Sequence, residues 1–174
     1  MIIPLAISVG LLGGLCTWLF IVTGAFLIWA AFVAWACFFQ SGGDLPAFRT
    51  TIISTLFGVF VAWGAGLAMA SLQGPPLVGA TIVAASIALY ILAAHFKPLS
   101  SIPAVTYGYA CTFAYLTQNA DAFKLGVLLS LGMRNVLLLV PLSLIIGACF
   151  AFTSAVFATW ISKTVAARQI APGL

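Results

Sequence analysis

The first 39 residues carry no charged side chain. About 20 apolar residues cross the hydrocarbon core of a bilayer, so a neutral stretch about twice that long must hold two crossings and the turn between them. Thr23-Gly24 is where the turn is expected, giving a first span over residues 5–22 and a second over residues 26–39. Further apolar runs at residues 50–72, at 77–94, after Pro103 and at 136–161 bring the expectation to about six spans joined by short connections. Composition agrees: 64% of residues are hydrophobic, 5% are charged and the mean hydropathy is +1.27, which leaves too little polar surface for a domain in water. The expected fold class is all-α, a polytopic membrane helix bundle of about six transmembrane helices forming one integral membrane domain over residues 1–174. The opening Met1-Ile2-Ile3-Pro4 lacks a basic region, so no cleaved signal is expected.

The net charge of +4 comes from single residues set between apolar runs: Arg49, Lys97, Lys124, Arg134, Lys163 and Arg168 against Asp44 and Asp121. Such spacing orients loops and makes no patch for nucleic acid, so the partner expected is the lipid bilayer. With six spans, Arg49, Lys97, Lys163 and Arg168 fall on one side and Lys124 and Arg134 on the other, which predicts cytoplasmic termini. Cys16, Cys37, Cys111 and Cys149 lie inside apolar runs without metal-ligand spacing and read as small buried hydrophobes; no metal or cofactor is expected. The lone His95, beside Lys97 at a helix end, reads as an interfacial residue. Two carboxylates in loops and one histidine do not make an acid/base or nucleophilic site, so an enzyme is not expected. Ion-coupled transport is disfavoured too, because the predicted span interiors lack the ionisable group that carries a coupling ion.

The most polar part of the apolar sequence follows Pro98 and Pro103. Two prolines interrupt the approach to a helix whose Thr106, Tyr109 and Thr112 share one face at about 100° per residue. Hydroxyls inside a bilayer face other helices or a wet cavity, and both readings stay open here. On the second reading they line a narrow path, with Trp35 and Phe39 from the second span as its apolar wall. Elsewhere, small residues recur every fourth position as Gly10/Gly14, as Ala62/Gly66/Ala70 and as Ser143/Gly147/Ala151/Ala155. Such edges allow close helix approach, and two of them exceed what a small bundle needs, so a homo-oligomer is expected. Residues 124–133 are apolar but too short to span, fitting an interfacial helix, a re-entrant segment or the foot of the last helix. Pro141 should bend that last helix.

An internal echo runs through the chain. Ala36-Cys37-Phe38-Phe39, a loop with Asp44, then Ala47-Phe48-Arg49 matches Ala110-Cys111-Thr112-Phe113, a loop with Asp121, then Ala122-Phe123-Lys124. A repeat of three spans would be inverted in the membrane, placing the interface of the halves near the midplane. Trp29-Ala30-Ala31-Phe32 through Phe39, Gly42-Gly43, Thr55-Leu56-Phe57-Gly58-Val59 to Ala62-Trp63, the 103–113 segment and Val140-Pro141-Leu142-Ser143-Leu144 before Gly147 together resemble the YcdZ-like family of small bacterial inner-membrane proteins. That resemblance implies location and architecture, and brings no activity or site residues; residues 118–134 are longer than the family pattern. Two function classes remain: an uncoupled channel or facilitator for a small neutral or weakly polar solute, or a structural subunit packing against a partner membrane protein.

Overall fold

The computed structural model describes residues 2–170, with side chains described through residue 166. Helices make up the chain, in the order α1 (Ile2–Thr23), α2 (Ile28–Gln40), α3 (Leu45–Leu72), α4 (Pro76–Leu92), α5 (Ile102–Gln118), α6 (Leu125–Leu128) and α7 (Val136–Ile170), with 3-10 turns at Ala93–His95 and Lys97–Leu99. Among the described residues there is no strand. This is the all-α bundle expected of a membrane protein.

The first turn falls at the anticipated place. α1 ends at Thr23, and Gly24 takes φ +58, a left-handed conformation that side chains with a Cβ avoid. Asp44 then starts α3 five residues earlier than expected, because its Oδ1 accepts from the Ala47 N–H at 2.8 Å and Pro46 suits the first helical turn.

Among the described residues, the helices differ in whether they reach spanning length by themselves. Four helices, α1, α3, α4 (continued by its 3-10 turn to His95) and α7, are long and apolar enough to cross a membrane. α2 has 13 residues and α5 has 17, so at 1.5 Å per residue they rise about 20 and 25 Å, short of the hydrocarbon thickness. The cause is local. Residues 24–27 are given over to the turn before α2, and the 3-10 turns around Pro98 delay α5 to Ile102.

The helices alternate in direction, so the start of α1, the α2–α3 turn, the α4–α5 connection and the end of α7 share one end of the bundle. Ile2 and Ile7 line one groove with Ile161 and Val165 there, and Tyr107 Oη donates to Gln40 Oε1 at 2.6 Å. At the other end the 129–135 connection folds over the bundle. Trp63 Nε1 donates to Leu128 O at 2.9 Å, and Asn135 Nδ2 donates to Leu128 O and Ser130 O while its Oδ1 accepts from Leu137 N. Residues 124–133 are thus a short helix and an irregular cap closed by Asn135, and α7 starts only afterwards. Pro141 lies inside α7 without ending it.

Each short helix is held by one long one. α5 packs on α3 and α2 packs on α7; α4 lies outside on α3, and α1 lies outside on α7. Glycine sets these contacts. A Cβ on Gly58 would overlap the Val105 carbonyl, one on Gly108 would overlap the Thr55 carbonyl, and one on Gly147 would overlap the backbone of Ala31. Ala62 is buried and Gly66 abuts Leu116, while Ser143 Oγ accepts from Leu27 N at 3.0 Å. The Ala62/Gly66/Ala70 and Ser143/Gly147/Ala151/Ala155 edges therefore have packing partners within the chain. The edge left open is Gly10/Gly14 on α1, with no atom within 4 Å of a built Cβ at either position.

Candidate functional site

The polar side chains predicted to line a path are divided by the fold. Thr106 and Tyr109 turn toward α4. Tyr109 Oη lies 2.8 Å from Ser86 Oγ, Thr106 Oγ1 donates to Ile102 O of its own helix and lies 3.3 Å from Tyr90 Oη, whose O–H can donate to it, and the two tyrosine rings pack with centroids 5.3 Å apart. Tyr90 and Tyr109 are buried beside Val61, Ala62 and Val105. Four hydroxyls from two helices thus form a cluster in an otherwise apolar seam. Each is donor and acceptor at once, so the cluster can exchange bonds with a neutral solute or water while presenting no field for an ion.

Thr112 leaves this group. It points into the bundle, is fully buried, and donates to Gly108 O at 3.0 Å, four residues back on α5. Thr112 stands at the edge of the predicted face, about 120° round the helix from Thr106, and the backbone carbonyl one turn back is its acceptor. Trp35 and Phe39 are also elsewhere: they sit with Cys16, Phe20, Phe38 and Ala151 between α1, α2 and α7 and make no wall for Thr106 and Tyr109. Trp35 stacks on Phe32 and Phe150, at 5.8 and 6.4 Å between centroids. Phe39 lines a cavity of about 270 Å³ with Leu5, Gly43, Ala155 and Thr159, at the end of the bundle where the chain begins.

Two residues of the hydroxyl cluster were not singled out from sequence. Ser86 and Tyr90 stand four apart on α4, a helix whose run of Ala, Ile, Leu and Val gives little sign of a polar face. The i, i+4 pairing of two hydroxyls was the available signal.

Among the described residues, two buried side-chain polar atoms have no hydrogen-bond partner, Trp35 Nε1 and Thr51 Oγ1. The polar neighbour of Thr51 is the Cys37 thiol, a weak partner at best. His95 Nδ1 lies 2.9 Å from Leu92 O within its own turn, exposed. Among the described residues no three His, Cys, Asp or Glu side chains gather where they could hold a metal.

No curated protein and no solved structure matches this sequence. Residues 6–159, from the first turns of α1 to the last third of α7, match the family described as a protein of unknown function, DUF1097. Because that match takes in the hydroxyl cluster, both short helices and their long partners, the chain belongs to the DUF1097 family of proteins of unknown function.

Proposed function

We propose that this chain is a YcdZ-like protein of the bacterial inner membrane, with both termini cytoplasmic, that passes a small neutral or weakly polar solute without coupling or chemistry. The observation that carries the reading is the pair of short helices in corresponding places. In transport folds built from inverted repeats, unusually short or interrupted helices at matching positions of the two halves mark the solute path.

The correspondence is residue by residue. Buried on α2 are Ala30, Ala31, Ala34, Trp35, Cys37 and Phe38. A shift of 74 positions (30 to 104, 31 to 105) carries them to Ala104, Val105, Gly108, Tyr109, Cys111 and Thr112, all buried on α5. A shift of 89 (58 to 147) carries the buried Ala47, Thr51, Ser54, Thr55, Gly58, Val59, Ala62 and Ala65 of α3 to Val136, Val140, Ser143, Leu144, Gly147, Ala148, Ala151 and Ser154 of α7, which are buried too, while the buried Val61 and Gly66 map to the half-buried Phe150 and Ala155. Gly58 meets Val105 and Gly147 meets Ala31, which is the same contact under both shifts. The two shifts differ by 15, which accommodates α6 and the irregular cap. These register matches support two halves, α1–α3 and α4, α5 with α7. Three helices in each half make the halves inverted.

In this reading the α4–α5 hydroxyls replace a solute's hydration on one side of the seam. Purified protein in liposomes should speed swelling in urea, acetamide or glycerol over empty vesicles. Tyr109→Phe and Ser86→Ala should slow that rate several-fold while costing about 0.5–1 kcal/mol of stability, the usual worth of a bond between membrane helices. Swelling no faster than in empty vesicles across this set overturns the proposal.

The open Gly10/Gly14 edge favours a second reading, an interaction subunit that packs α1 against another membrane helix, including that of a second copy. Native mass spectrometry in mild detergent that finds only monomer removes the homo-oligomeric form of this reading.

A further inference from the structure

The two halves differ most where they correspond most closely. The shift that relates α1–α2 to α4–α5 places Leu12 where the other half has Ser86, Cys16 where it has Tyr90, Phe32 where it has Thr106 and Trp35 where it has Tyr109. The contacts agree: Leu12, Cys16 and Trp35 share one packed cluster, as Tyr90 and Tyr109 share the other, and Phe32 stacks on Trp35. In the second half every hydroxyl finds a partner across the seam or on its own helix. In the first, Leu12 offers nothing to the indole, and Trp35 Nε1 is left without a partner although the residue is only 4% exposed. A buried N–H without an acceptor costs roughly 1–3 kcal/mol, so an unpaired group there calls for an explanation.

We infer that Trp35 Nε1 is a second solute-binding position, donating to the carbonyl oxygen of small neutral amides and urea-like compounds. An indole N–H only donates, so its ligand must bring an acceptor. The Phe32 and Phe150 rings already stack on Trp35, so a ligand meets the indole at its N–H edge. On this proposal a ligand enters past Phe39, which stands one helical turn along α2 from Trp35 and lines a cavity of about 270 Å³ with Leu5, Gly43, Ala155 and Thr159; the Trp35 side chain itself is not part of that lining. The inference rests on the facilitator reading for its purpose, and the pair of measurements below separates the two.

The first measurement is NMR of protein carrying ¹⁵N-labelled tryptophan, titrated with acetamide. The Trp35 indole signal, identified by its loss in Trp35→Phe, should move downfield and saturate. The Trp63 signal should stay, because that N–H already donates to Leu128 O. If Trp35→Phe does not fold, Trp18→Phe, Trp29→Phe, Trp63→Phe and Trp160→Phe identify the signal by elimination. The second measurement is acetamide-driven swelling of liposomes carrying the same protein. A saturating shift with swelling supports both readings. A shift without swelling keeps the Trp35 position and overturns the facilitator. Swelling with a stationary Trp35 signal overturns the Trp35 position alone, and neither effect overturns both.

Discussion

Single glycines decide whether the helices can meet. Gly58 and Gly108 face each other across α3 and α5, and an added Cβ at either lands on a carbonyl of the opposite backbone, which no rotamer change relieves. Gly58→Ala and Gly108→Ala are expected to cost about 1–3 kcal/mol or more, because the helices must separate. Gly10→Ala and Gly14→Ala meet no atom, so they should leave stability unchanged or raise it by about 0.4–1 kcal/mol through lost freedom of the unfolded chain. Thermal unfolding of the four variants in one detergent checks both halves of this statement. Equal losses at all four positions would refute the backbone-contact account.

At the scale of elements, the two acidic residues do different work. Asp44 holds the first turn of α3 through Ala47 N–H, and Asp44→Ala should cost about 1 kcal/mol, as caps commonly do. Asp121 is fully exposed and pairs with Lys124 at 2.7 Å; the hydrogen bond and charge of that ammonium hold its carboxyl below the usual range. A depressed carboxylate contributes stability at neutral pH and loses it as pH falls through its own lowered range. Since water screens this exposed pair, Asp121→Asn should leave the unfolding midpoint at pH 7 almost where it was. Comparing the two variants at pH 7 is the check, and a larger loss at Asp121 would mean that the cap at residues 119–135 depends on it. The short helices follow the same logic: α2 and α5 are too short to span alone, and their length is tolerated because long neighbours bury them.

At the scale of the molecule, the first three helices, α1–α3, interlock with α4, α5 and α7. The short helix of each set lies on the long helix of the other, α5 on α3 and α2 on α7. Residues 1–73 and 74–174, expressed separately, are each expected to be degraded, since the glycine faces of α3 and α7 would lack their mates. Co-expressed, they should reassemble and co-purify. Stable accumulation of either piece alone would argue against interlocking. Orientation belongs to this scale as well. Arg49, Lys97 and Lys163 lie toward the end that holds the start of α1, and Lys124 and Arg134 toward the other; Arg168, the fourth basic residue assigned to the first side, has a side chain outside the described residues. The positive-inside rule then predicts a cytoplasmic tail, testable by labelling a cysteine introduced near residue 163 from either side of the membrane.

The sequence alone determined that this chain lives in a bilayer, that it is helical throughout and where its first turn falls. These follow from transfer energetics and backbone satisfaction, which act on composition and run length without regard to neighbours. Of the echo it held, Ala36–Phe39 and residues 110–113 both lie on short helices, whereas Ala47-Phe48-Arg49 sit in the first turn of α3 and Ala122-Phe123-Lys124 in the turn before α6, so that second part is not kept. Tertiary structure alone decided which face of each helix is inside. Periodicity puts Thr106, Tyr109 and Thr112 roughly on one side, yet Thr112 turned to its own backbone while Ser86 and Tyr90 joined the other two from a helix that looked featureless. The physical reason is that a hydroxyl in an apolar medium takes whichever acceptor is nearest, and only the packing of α4 against α3 and α5 put one within reach.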